Sequence, residues 1–127
     1  MKNCLVITLV LIGCQITFAQ TDSTKRNKEQ TFGLITLIHA QLLNNEIDFS
    51  KAAQLYSDDK STKEKCGDIG WVPRGVLIPG CENELFKLPV KGISKPFLTE
   101  FGFMIFQLLE RDGELCHARF LLLKFEI

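Results

Sequence analysis

Neither sign of charge is in surplus in this chain, where 15 Lys and Arg side chains stand against 15 Asp and Glu. That balance supplies no basic stripe for nucleic acid and no acidic field for a cationic partner. No apolar run is long enough for a comfortable membrane span; the strongest, residues 4–12, weakens soon afterwards at Gln15. Histidine is nearly absent, with 2 residues, and tryptophan and tyrosine occur once each. A chain of 127 residues is one small domain rather than two.

What is present begins with a signal. Lys2 supplies a positive start, residues 4–12 an apolar core, and Ala19 a small residue at the end of Thr17-Phe18-Ala19. This pattern predicts a secretory signal peptide over residues 1–19 and an exported protein of the periplasm or cell envelope. A rival cleavage site, Leu11-Ile12-Gly13-Cys14, has the form of a lipobox and would leave Cys14 lipidated at a membrane. Removing residues 1–19 takes away Lys2 alone among the charged residues, leaving 14 basic against 15 acidic. Cys66, Cys81 and Cys116 remain, an odd count that excludes a complete internal disulfide set. Their wide spacing is unlike a zinc site, so buried thiols are expected, with neither metal nor cofactor.

Residues 20–30 are polar and aperiodic and predict a flexible leader. Over 31–44 the apolar residues Phe32, Ile35, Ile38, Leu42 and Leu43 recur at helical spacing, and His39 reads as a packed or surface residue of that helix. Asp48 has the position of an N-cap for a second helix over 49–56. A polar loop over 57–68 follows, then a stretch punctuated by Gly and Pro in which Val76-Leu77-Ile78 reads as a short strand and 83–88 as one or two helical turns. From Phe101 to Leu109 apolar residues occupy both alternating sets, as in a strand covered on both faces. Asp112-Gly113 predicts a tight hairpin into a final strand over 115–125. The expected class is α+β, helices first and an antiparallel sheet after them.

The order of short motifs adds a resemblance. Asp48-Phe49-Ser50-Lys51-Ala52-Ala53-Gln54-Leu55-Tyr56-Ser57, Gly67-Asp68-Ile69-Gly70-Trp71, Leu77-x-Pro79 with Leu85-Phe86-x-Leu88, Gly92-Ile93-Ser94-Lys95-Pro96 and Thr99-Glu100-Phe101-Gly102-Phe103 follow one another across residues 31–110. In that order they resemble the parvulin-type peptidyl-prolyl cis-trans isomerase domain, most closely that of the periplasmic parvulin chaperones. The family's first strand, with its Arg-His-Ile-Leu motif, has no counterpart before residue 31. Ala118-Arg119-Phe120-Leu121-Leu122-Leu123-Lys124 resembles it instead. The resemblance therefore implies a parvulin/FKBP-like antiparallel sheet with helices on one side and the first strand supplied from the C-terminus, by permutation or truncation. A sheet centre left open would expose apolar faces and an unpaired edge, so the strand is expected to fold back into its own domain, with a strand-swapped dimer as the rival.

Prolyl isomerisation rotates an amide over a barrier of about 18–20 kcal/mol without breaking a bond, so an apolar proline pocket and electrostatics at the imide do the work. The resemblance places Asp59 at the acidic position near the amide and Thr99 at the threonine that supports the family's histidine pair. It places Leu77 in the proline pocket, Cys81 where a pocket phenylalanine belongs, and Met104 and Phe120 where the two histidines belong. His117, three residues before Phe120, falls on the opposite strand face and cannot replace it. Taken alone, Asp59 is a solvated loop carboxylate and Thr99 an ordinary residue at a strand start. Replacing both histidines leaves an apolar pair rather than one stranded polar group. The expected function is an exported, weakened isomerase-like domain for Xaa-Pro bonds of envelope or secreted proteins. A non-catalytic peptide-binding or chaperone module on the same groove, or a relic without activity, are the alternatives. Partners would be proline-containing peptides or unfolded envelope proteins, not nucleic acid, and a membrane only through Cys14.

Overall fold

The computed structural model describes residues 26–126, so the expected signal peptide and both candidate cleavage sites lie outside the described residues. The first helix, α1 (Lys28–Leu43), starts earlier than its apolar period suggested. Asn27 and Gln30 form a reciprocal capping box that satisfies the first-turn N–H groups, so the last residues of the expected flexible leader belong to the helix. Just ahead of it Arg26 is anchored to the Asp58 carboxylate at 2.7 Å and the Lys124 carbonyl at 3.1 Å. Helix α2 (Phe49–Tyr56) lies where its N-cap signal put it, with Asp48 accepting from the Lys51 N–H at 2.8 Å.

The loop that follows contains one helical turn, α3 (Lys60–Lys63), before strand β1 (Asp68–Pro73). Two expectations change here. The Asp68–Pro73 segment, expected as the end of a polar loop and the start of a Gly- and Pro-punctuated stretch, is a strand because it pairs with the C-terminal strand. Val76-Leu77-Ile78, expected as a strand, is turn and coil leading into α4 (Pro79–Phe86), which Pro79 opens at a position where its missing N–H costs nothing. Strands β2 (Phe97–Thr99), β3 (Gly102–Asp112) and β4 (Leu115–Leu123) complete the chain. The β3–β4 hairpin closes through Gly113-Glu114, with Gly113 at φ 60°, a conformation that glycine adopts at no steric cost.

The sheet is antiparallel throughout, in the order β1-β4-β3-β2. β4 therefore sits inside the sheet, paired with β1 on one side and β3 on the other, and the first strand is supplied from the C-terminus within the same chain. The α+β class is the expected one, but the helices are not confined to one side. On one face Val72, Met104, Phe106, Leu108, Cys116, Ala118 and Leu122 pack against Cys81, Leu85 and Phe86 of α4. On the other, Phe103, Ile105, Leu121 and Leu123 pack against Ile35, Ile38 and Leu42 of α1 and Phe49 and Ala52 of α2. A central strand pair apolar on both faces needs both covers, which the short α4 provides on the first face.

Candidate functional site

The face under α4 gathers four of the expected binding residues. Met104 and Cys81 are both 4% exposed, and Leu77 and Phe120 are half-buried against the same cluster. The Cys81 Sγ and Met104 Sδ lie 3.8 Å apart, two soft atoms in apolar contact. Burial pushes the Cys81 thiol pKa up, so it stays protonated and unreactive.

Met104 and Phe120 share this face but do not oppose each other. The register sets Met104 against Leu122 and Phe120 against Phe106, which makes Met104 and Phe120 a diagonal pair. Phe106 neighbours both, two residues along β3 from Met104 and opposite Phe120; it is fully buried, its ring 5.8 Å edge-on from Phe120 and 5.9 Å stacked on Phe97. Phe106 was not among the expected residues. It stands two positions after Met104 on an alternating strand, and that spacing alone puts it in the same surface. The Gly92–Pro96 motif has a structural part in this: Ser94 donates its N–H to the Phe106 carbonyl at 2.8 Å and its Oγ accepts the Phe106 N–H at 2.9 Å.

Asp59 and Thr99 are placed differently. The Asp59 carboxylate accepts from Thr62 Oγ1 at 2.6 Å and Ser61 Oγ at 3.0 Å, bracing the start of α3. Its neighbours run along β4: Asp58 donates its N–H to the Leu122 carbonyl at 2.7 Å, and the Leu122 N–H bonds the buried Ser57 Oγ at 3.2 Å. Leu122 faces Met104 across the sheet, so the Tyr56-Ser57-x-Asp59 segment borders the Met104 end of the groove. Thr99 belongs to the Met104 face through its pairing with Gly102, two residues along from the Phe97–Met104 pair. Its Oγ1 is committed to the β2–β3 turn, accepting from Phe101 N–H at 3.0 Å and donating to the Gly102 carbonyl at 2.9 Å.

Gly67 closes the other border. Its carbonyl accepts the Phe120 N–H at 3.0 Å, and at φ 81° any Cβ there would collide with the Phe120 carbonyl oxygen. What results is an apolar cluster with a hydrogen-bonded rim and no imidazole in it; Cys81, Met104 and Phe106 are buried at its centre, and Leu77, Phe97 and Phe120 are half-buried at its edge. His117 lies on the opposite face, its Nε2 3.0 Å from Asp68. A hollow of about 590 Å³ at the α1–α2 turn is lined by Asn45, Glu46, Asp48 and Lys51. It is an open, solvated depression with none of the groove residues, and the groove rather than the hollow is the candidate site. Among the described residues no three His, Cys, Asp or Glu side chains are grouped to hold a metal ion, and no helix is long and apolar enough to cross a membrane.

A family model described as a rotamase, PPIC-type PPIase domain matches residues 15–110. The match ends before β4, the strand that carries Phe120. Among individual proteins, the chain is 46% identical over 67 residues to a protein named Chaperone SurA of Nitrosococcus oceani, covering 53% of this chain and 16% of that protein. It is 41% identical over 68 residues to Foldase protein PrsA of Caldanaerobacter subterraneus, covering 54% of this chain and 22% of the relative. Chaperone SurA of Pseudomonas syringae is 33% identical over 86 residues, 68% of this chain and 20% of its own. The chain thus spans about a fifth of the length of these curated relatives.

Proposed function

The chain belongs to the PPIC-type peptidyl-prolyl isomerase family, and from that premise we propose that it is an exported isomerase-like domain that binds proline-containing segments of unfolded envelope or secreted proteins and turns them over weakly. The observation that carries this reading is the convergence of Leu77, Cys81, Met104 and Phe120, with Phe97 and Phe106, in one apolar cluster whose half-buried members Leu77, Phe97 and Phe120 form its reachable edge. Such a surface suits a prolyl ring, and holding the ring while the amide rotates lowers the barrier without a proton transfer. The Met104 and Phe120 positions supply no dipole at the imide, which is why turnover is proposed to be weak. Residues 1–19 would act as the export signal, and the relatives named as chaperones and a foldase support a client that is an unfolded chain.

A purely binding role is the second reading, favoured by the local hydrogen bonds that occupy Asp59 and Thr99. One experiment separates the two. Cis–trans exchange of an Ala-Pro-Phe peptide is followed by NMR with the protein from residue 20 onward, alongside its binding isotherm. Exchange above buffer supports the isomerase; binding without exchange supports the binding module; neither removes the groove from consideration.

A further inference from the structure

The second sheet face is only half covered. α1 and α2 lie over Phe103, Ile105, Leu121 and Leu123, and beyond these the same face turns polar at Gln107, Arg119 and His117. Here β1 contributes Trp71, paired across from His117 and 47% exposed. The indole stacks on the imidazole, with centroids 5.3 Å apart and planes 28° from parallel. His117 is fixed in turn by two carboxylates, Asp68 Oδ1 at 3.0 Å from Nε2 and Glu110 Oε1 at 3.4 Å from Nδ1. Asp112, opposite Leu115, continues the acidic row on this face. Arg119 is the guanidinium among them; its Nε is buried without a partner and its charge lies beside Asp68.

We propose that this uncovered half-face is a docking surface for a lysine-rich extended segment of a partner polypeptide. The charge is complementary: Glu110 and Asp112 are exposed carboxylates, and Glu110 keeps 63% of its side chain in solvent. The indole stacks on His117 and the residue is 47% exposed, which leaves ring surface on which an ammonium group gains a cation–π contact. The His117 stack and the Asp68 bond behind it hold that ring in place, so little side-chain freedom is lost on binding. A nucleic acid or an anionic membrane would meet like charge here. The surface shares no residue with the apolar groove on the opposite face.

Trp71 is the only tryptophan in the chain, so its emission reports this site alone. The probe is a proline-free ten-residue peptide alternating Lys and Ala, compared with its Glu/Ala counterpart, followed by Trp71 fluorescence and by anisotropy of a labelled peptide. The Lys peptide is expected to shift the emission and to bind about tenfold more weakly to Glu110→Gln/Asp112→Asn, a double change at exposed positions that leaves the core intact. Raising salt from about 50 to about 200 mM should weaken the wild-type complex further. A proline peptide in the groove should leave the Lys peptide bound. The proposal is overturned by equal responses to the Lys and Glu peptides, by undiminished binding to the double variant, by a silent Trp71 at low salt, or by displacement with the proline peptide.

Discussion

Restoring the two histidines is the most demanding test of the groove. Met104 is 4% exposed, with Leu122 and Phe97 across the sheet and Cys81 Sγ at 3.8 Å, so an imidazole there finds no polar side chain among those neighbours. Met104→His should cost about 1–3 kcal/mol from one unsatisfied buried polar group. Phe120→His should cost less, because Phe120 is only half-buried. Their diagonal placement leaves the two side chains within reach, so in Met104→His/Phe120→His one ring donates to the other. The double variant should then be more stable than the sum of the singles by about 1 kcal/mol, the net worth of one hydrogen bond. Urea unfolding of the wild type and three variants measures that coupling. For a domain with about 5–15 kcal/mol of stability every variant stays folded enough to assay. Isomerisation of the Ala-Pro-Phe peptide should rise in the double variant alone. Strictly additive free energies would refute the diagonal contact. A coupled, folded double variant without gain in turnover would refute the argument that floor polarity limits the chemistry.

Deleting residues 115–127 removes the strand that pairs with both β1 and β3, and the truncated chain should lose its cooperative urea transition and near-ultraviolet circular dichroism; a sharp transition would show β4 to be dispensable. Gly67→Ala imposes a Cβ on a φ 81° backbone against the Phe120 carbonyl, and should cost at least about 1–2 kcal/mol in the same unfolding assay. Asp68 is raised by burial, but the Gly70 N–H, the His117 bond and the charges of His117 and Arg119 outweigh that and hold its pKa below the ordinary 3.8. A depressed carboxyl stabilises above its unfolded pKa and loses that contribution as pH falls through the folded one, so Asp68→Asn should be the less stable protein at pH 7 and converge with wild type below pH 3.8. Burial raises the thiol pKa of both Cys81 and Cys116, whereas Cys66 is partly exposed, so in the protein from residue 20 onward, which lacks Cys4 and Cys14, a thiol reagent at pH 8 should label one cysteine quickly and two only on unfolding.

How much of this was legible depended on where each element's determinants lie. α2 was readable to the residue because its cap and apolar positions are adjacent in sequence. The start of α1 was not, since the Asn27–Gln30 box sits in a charged stretch that resembles a leader. β1 was not read as a strand because its extended form is imposed by β4, about fifty residues downstream, against turn-forming Gly67 and Gly70. Val76-Leu77-Ile78 had the composition of a strand and no partner to pair with. Leu77, Cys81, Met104 and Phe120 were singled out through motif order, and the same dependence on matching positions passed over Phe106, which packs in the same cluster. The acidic half-face shows a further limit. Strict alternation from Met104 would put Glu110 and Asp112 on the groove side. The ladder instead shifts between Leu108 and Glu110, so Glu110 meets His117 and Asp112 meets Leu115 on the opposite face. One extra residue in the pairing inverts the sides of everything after it, a shift that composition and period do not encode. That bulge removes two carboxylates from the apolar face of Met104 and Phe106 and sets them on the face of Trp71, so a single irregularity in β3 separates the two faces by charge.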